Sequence, residues 1–221
     1  MPMPIAILDD GVSYRAIPDL AFRMETVNGE VKPANADGAY RGHGTTCARI
    51  LRAYEPKIPL GSVRVLAGHS GRGLVENLIA AVRWCAAEGI RLANVSLGSV
   101  EERDRAPIQE AVEEARKKGL ILVCATSNDG LPSWPACLDG AIGVEADEEL
   151  VGDQWRPHPS PERGLELLAS ARHTVVINNI AFKPPVCNSF AAPTATLQIW
   201  RMLEKEPYLS VEDILKRIGK G

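Results

Sequence analysis

The sequence predicts an α/β fold built on a mainly parallel sheet with helices on both faces. Three observations carry this. Short, continuous apolar runs recur along the chain, segments with helical spacing separate them, and the 221 residues are 45% hydrophobic and 24% charged, an ordinary globular composition. An apolar run without polar alternation suits a strand buried on both faces, as in a parallel sheet. A chain of this length buries roughly two-thirds to three-quarters of its unfolded surface in one core. No internal repeat or low-complexity tract divides it, so residues 1–221 read as a single domain.

The elements follow in order. Ile5-Ala6-Ile7-Leu8 is the first strand, ended by Asp9-Asp10-Gly11. A helical pattern begins at His43 and runs through Ile50, Leu51 and Tyr54. Residues 63–67 form a second apolar run. Leu74, Leu78, Ala81, Val82 and Cys85 then fall at helical spacing, and 92–95 is the next strand. Ile108, Ala111, Val112 and Ala115 mark a helix with a charged outer face (Glu113, Glu114, Arg116, Lys117, Lys118) and Gly119 as its stop. Residues 120–125 and 141–144 are further strands. The stretch 147–164 is acidic, then proline-rich, and reads as a long surface loop. Pro184-Pro185 makes 182–188 irregular, and an Ala/Thr/Leu-rich helix follows Ser189. The last helix carries the capping pattern Ser210-Val-Glu-Asp213, a Leu209/Ile214 staple and Gly219 at its end.

Composition excludes some functions. Lys+Arg is 25 and Asp+Glu is 28, a net charge of -3, which argues against a dedicated binder of nucleic acid or anionic membrane. No apolar run approaches the roughly 20 residues that span a bilayer. Met-Pro-Met-Pro at the N-terminus lacks the basic and apolar segments of a secretory signal. The five cysteines (47, 85, 124, 137 and 187) are odd in number and show no CxxC spacing. A reduced, cytoplasmic protein is the simplest reading, with thiols acting as small hydrophobes.

Ligands of a parallel sheet gather at the carboxyl ends of its strands. Asp9 stands at such an end, where a carboxylate orients a histidine. His43 lies at a helix start in Gly42-His43-Gly44-Thr45-Thr46-Cys47-Ala48. The helix dipole disfavours an imidazolium there, and a buried carboxylate counters it. Ser189 opens Ser189-Phe190-Ala191-Ala192-Pro193, at a helix start whose free N–H groups suit an oxyanion. Asn128 follows the 120–125 run, and its amide supplies a second oxyanion donor. Each residue also has an ordinary reading: Asp9 and Asn128 as turn residues, His43 as a helix-start histidine, Ser189 as an N-cap. Asp10 is expected to point away from Asp9, in a structural or substrate-facing role. Cys47 lies one helical turn past His43, beneath the site, and Cys187 is a rival nucleophile. His69 is a candidate for the cleft wall, whereas His158 and His173 read as surface or packing residues.

In the chain order Asp, His, Ser these residues resemble the subtilisin-like serine proteases, or subtilases. The resemblance spans nearly the whole chain. Ile5-Ala-Ile-Leu-Asp-Asp-Gly11 is similar to the family's Asp block, and Gly42-His-Gly-Thr-Thr-Cys-Ala48 to its His block. Gly71-Arg-Gly73 and Asn94-Val-Ser-Leu-Gly98 resemble its substrate-binding segments. Cys124-Ala-Thr-Ser-Asn-Asp-Gly130, Ser133-Trp-Pro-Ala136 and Asn188-Ser-Phe-Ala-Ala-Pro193 resemble the oxyanion block, the segment after it and the Ser block.

The resemblance implies a subtilisin-like three-layer fold and a serine endopeptidase acting on a peptide or protein. Ser189 would be the nucleophile, His43 the general base and acid, and Asp9 its orienting carboxylate, with Asn128 and the Ser189 N–H holding the oxyanion. Gly71, Arg72, Gly73, Ser96, Leu97 and Gly98 would pair with an extended substrate. Thr126 and Ser127 would line the pocket for the residue before the scissile bond.

The chain also departs from the family pattern. Thr46 stands where a second histidine is usual, and Cys187-Asn188 replaces Gly-Thr before the nucleophile. Thr126-Ser127 replaces Ala-Gly before Asn128, which crowds the pocket and implies a restricted substrate, with precursor-peptide maturation as the reading. The sequence begins about four residues before its first strand, so no folding pro-segment is expected within it. The link 55–62 is short, and no loop gathers acidic ligands, so neither structural calcium nor any other metal or cofactor is expected. The alternative is a catalytically idle subtilase-like module that binds an extended peptide.

Overall fold

The computed structural model describes residues 4–66, 71–160, 164–177 and 179–219. Its nine-stranded sheet has the order β3-β2-β4-β1-β5-β6-β7-β9-β8. The strands are β1 (Ile5–Asp9), β2 (Arg23–Val27), β3 (Glu30–Pro33), β4 (Leu60–Arg64), β5 (Leu92–Val95), β6 (Ile121–Ala125), β7 (Ala141–Ala146), β8 (Trp155–Ser160) and β9 (Leu165–Ala169). Seven of them run parallel, and an antiparallel strand closes each edge, β3 on β2 and β8 on β9. A separate hairpin joins β10 (Val175–Ile177) to β11 (Ile180–Phe182). The helices are α1 (His43–Tyr54), α2 (Gly71–Ala87), α3 (Glu102–Lys117), α4 (Asn188–Lys205) and α5 (Val211–Ile218).

Two hydrophobic layers sandwich the sheet, giving the three-layer α/β architecture expected. Ile5 and Ile7 of β1 face α1, α4 and α5, while Ala6 and Leu8 face α2 and α3. Every residue of β1 is therefore buried, and that is why its sequence does not alternate. The capping box of α5 is present: the Ser210 hydroxyl accepts from Asp213 N, and Asp213 accepts from Ser210 N. Leu209 and Ile214 are both buried beside it.

Two expectations are corrected. The stretch 147–164 is not a loop throughout, because Trp155–Ser160 forms the edge strand β8. Pro157 and Pro159 lack an N–H, and an edge strand tolerates this because one side has no partner to donate to. The strand read at 63–67 begins earlier, at Leu60. Its Gly61 carries no apolar signal but is required, since a Cβ there would lie 2.1 Å from the Phe22 ring.

Candidate active site

Asp9 ends the central strand β1, and α1 starts beside it. Asp9 Oδ2 lies 2.8 Å from His43 Nδ1, a hydrogen bond that leaves Nε2 facing outward. The neighbouring Asp10 serves the same helix in another way. Its Oδ2 accepts from His43 N at 3.0 Å and its Oδ1 from Gly44 N at 2.8 Å. Gly42, the N-cap, has no side chain to do this. The Asp10 carboxylate therefore caps α1 across the chain, where negative charge is favoured. The expectation for Asp10 is a structural or substrate-facing role pointing away from Asp9; the role is structural, but both carboxylates converge on the first turn of α1. Gly44 is required there, because a Cβ would lie 2.9 Å from Asp9 Cβ.

Burial disfavours charge on His43, but the Asp9 hydrogen bond and charge, with Asp10 behind it, outweigh that and raise its pKa. Burial likewise lifts Asp9 above the usual carboxylate value, against the pull of His43. Phe190 stacks on the His43 ring at 4.7 Å between centroids. The Phe190 carbonyl is held in turn by His173 Nε2 at 2.9 Å, and the Tyr54 hydroxyl lies 3.2 Å from His173 Nδ1. Burial lowers the His173 pKa and so favours the neutral ring. A proton on Nε2, with Nδ1 accepting from Tyr54, satisfies both contacts.

Ser189 lies in the first turn of α4. Its hydroxyl donates to the carbonyl of Ser96 at 3.4 Å, and no hydrogen bond joins it to His43 among the described residues. The Asn188 N–H donates to Asn128 Oδ1 at 2.9 Å, which leaves Asn128 Nδ2 as the amide's donor toward the cleft. Asn188 is a residue the sequence reading passed over as a mere departure. Its Nδ2 lies 3.1 Å from both Thr126 Oγ1 and Ser127 O, and its Oδ1 accepts from Ala146 N at 2.9 Å. It therefore stitches the ends of β6 and β7 to the start of α4. An Asn directly after the N-cap cysteine of α4 gives no sequence signal of this, since the partners lie about 40 to 60 residues away.

Beside Ser189 opens a cavity of about 240 Å³. Ser96, Leu97, Gly98, Thr126, Ser127, Asn128 and Ser189 all line it, so seven of the twelve expected site residues meet in one place. Ser133, at 5% exposure, joins them and accepts from Ser127 N at 3.0 Å. Gly98 admits no side chain, because a Cβ would meet the Trp134 carbonyl at 2.5 Å. Gly71, Arg72 and Gly73 form the first turn of α2, whose N–H groups have no acceptor within the helix. His69 lies outside the described residues.

Cys47 lies beneath this cluster, its Sγ 3.9 Å from Asp9 Oδ2 and 4.0 Å from His43 Nδ1. Burial, then the charge of Asp9, raises its pKa well above the ordinary thiol value and keeps it protonated. Asp9, His43 and Cys47 are the one group of possible metal ligands among the described residues. A metal there would have to displace the Asp9–His43 hydrogen bond. All five cysteines are free thiols.

Comparison with known proteins gives a consistent picture. The model of the Subtilase family matches residues 3–218. Subtilisin BL of Lederbergia lenta is 34% identical over 158 residues, covering 66% of this chain and 55% of its own. The major intracellular serine protease of Bacillus subtilis (strain 168) is 29% identical over 227 residues, covering 92% of this chain and 70% of its own. Among solved structures, the S41 psychrophilic protease superposes with a TM-score of 0.78 at 22% identity, covering 98% of this chain and 81% of its own. The chain spans about half the length of the subtilisins it matches.

Proposed function

The chain belongs to the subtilase family, and from that premise we propose that it is a serine endopeptidase with an Asp9, His43, Ser189 triad. The observation that carries the reading is the 2.8 Å contact between buried Asp9 and His43 Nδ1, with Ser189 opening the helix whose Phe190 stacks on the same ring. The Ser189 hydroxyl turns from the Ser96 carbonyl toward His43 Nε2, gives up its proton there, and its Oγ bonds to the peptide carbonyl carbon. The developing oxyanion takes hydrogen bonds from Asn128 Nδ2 and Ser189 N. His43 then protonates the leaving amine as the C–N bond breaks. Water, deprotonated by the same imidazole, hydrolyses the acyl-enzyme and restores Ser189.

The substrate is an extended peptide whose backbone runs along 96–98. The residue before the scissile bond enters the polar cavity between Thr126, Ser127 and Ser133, which favours a small or polar side chain. This supports a restricted protease, with maturation of a precursor peptide as its role. Five free thiols and the intracellular relative support a cytoplasmic setting. No helix among the described residues is long and apolar enough to cross a membrane.

A random peptide library, its products read by mass spectrometry, tests activity and pocket together. Cleavage after small or polar residues, lost in Ser189→Ala, is expected; cleavage after large aromatic residues contradicts the pocket reading. One observation favours the second reading, a module that binds peptide without cutting: the Ser189 hydroxyl bonds to Ser96 and not to His43. Turnover that depends on Ser189 eliminates that reading.

The pH profile follows from His43. The general base works only when neutral, and its pKa lies above the ordinary histidine value of about 6.5. The acid limb of kcat/KM is therefore expected to have its midpoint above about pH 6.5. A midpoint below 6 would contradict the Asp9 contribution.

A further inference from the structure

Four residues after Ser189, α4 contains Pro193. A helical carbonyl normally accepts from the N–H four residues on. Pro193 has none, so the helix supplies no donor to the Ser189 carbonyl. Other elements do. The Ser96 hydroxyl donates to it at 3.0 Å, and Cys47 Sγ approaches it at 3.8 Å.

The Ser96 hydroxyl is itself constrained. Its oxygen accepts from Asn94 Nδ2 at 2.9 Å, and Asn94 Oδ1 accepts from the Thr196 hydroxyl at 3.1 Å. Asn94 lies on β5 and Thr196 on α4, both at 0% exposure. The bonds form a closed circuit from α4 to β5 and back to α4. With the Asn94 amide on one lone pair of Ser96, the hydroxyl proton is left to point at the Ser189 carbonyl. Without that amide the hydroxyl is free to turn toward Cys47 Sγ, 3.7 Å away. An amide and a hydroxyl buried this deeply persist only when their bonds are made.

We infer that Asn94 is a positioning residue for the nucleophile: through Ser96 and Thr196 it fixes Ser189 against the end of β5. It touches neither substrate nor reacting atom. The inference rests on the reading of Ser189 as nucleophile. Loss of the circuit leaves the Ser189 backbone, and with it the hydroxyl and N–H, less well placed in the transition state.

The test compares Asn94→Leu, Thr196→Val, Thr196→Ser and the Asn94→Leu/Thr196→Val double variant, with kcat expressed per titrated active site. Asn94→Leu is expected to lower kcat about tenfold with KM changed less than about twofold, the scale of one lost hydrogen bond. Thr196→Val, which keeps its shape, is expected to lower kcat about threefold, and Thr196→Ser to restore it. The double variant is expected to be no slower than Asn94→Leu alone, because both act on one circuit. Unchanged kcat per active site in Asn94→Leu and Thr196→Val, with only thermal stability reduced, overturns the inference and leaves the protease reading standing. If Asn94→Leu does not fold, Thr196→Val against Thr196→Ser decides the question. Wild-type protein without Ser189-dependent turnover overturns the protease reading and this inference with it.

Discussion

Ser189→Ala is expected to lower kcat on the order of 10^6-fold while the fold survives. Among the described residues the hydroxyl makes one hydrogen bond, to the Ser96 carbonyl at 3.4 Å, and alanine is the best helix former, so α4 loses little. What disappears is the atom that attacks the peptide carbonyl carbon and carries the acyl group in the proposed mechanism. Asn128 and the cavity remain, and a residual rate on the order of 10^3 over water is expected from them. The check is kcat beside thermal unfolding of the same preparation. Retention of more than about a tenth of wild-type kcat would mean that another group, Cys187 first among them, carries the attack.

Asp9→Asn is expected to lower kcat on the order of 10^4-fold. Asp9 is 1% exposed, accepts from Asp10 N at 2.8 Å and faces His43 Nδ1. An asparagine has the same shape but offers an N–H where the carboxylate offers an acceptor. His43 Nδ1 must then accept, the ring proton moves to Nε2, and the atom facing Ser189 no longer takes a proton. The variant also removes the charge that raises the His43 pKa, so the acid limb of its residual activity moves to lower pH. A kcat within tenfold of wild type, or an unmoved limb, would show that Asp9 does not set the imidazole.

The fold was legible where burial wrote it into the chain. β1, β5, β6 and β7 lie between helical layers, so both faces must be apolar and the strands stand out as runs. The edges were illegible for the opposite reason. β2 and β3 are polar and partly exposed, and β8 is broken by prolines that an edge tolerates. Register, not hydrophobicity, begins β4 at Leu60, where Gly61 makes room for Phe22.

The site divided in the same way. Asp9 ends a strand, His43 and Ser189 sit at helix starts and Asn128 lies in the turn after β6, and their local motifs marked them. The groups that hold them in place act across distance. Asp10 caps a helix 33 residues away, and Asn188 ties down Thr126 and Ser127 from about 60 residues away. His173, read as a surface or packing residue, braces the backbone carbonyl of Phe190, whose ring stacks on His43. Such roles are set by tertiary contact and leave no local pattern.

The most direct measurement is covalent labelling with a fluorophosphonate, followed by peptide mapping of the adduct. A single adduct on Ser189 is the predicted result, formed at least 10^3-fold more slowly in Asp9→Asn on the scale of a lost general base. Folded protein that takes no label, or takes it on Cys187 or elsewhere, would contradict the account.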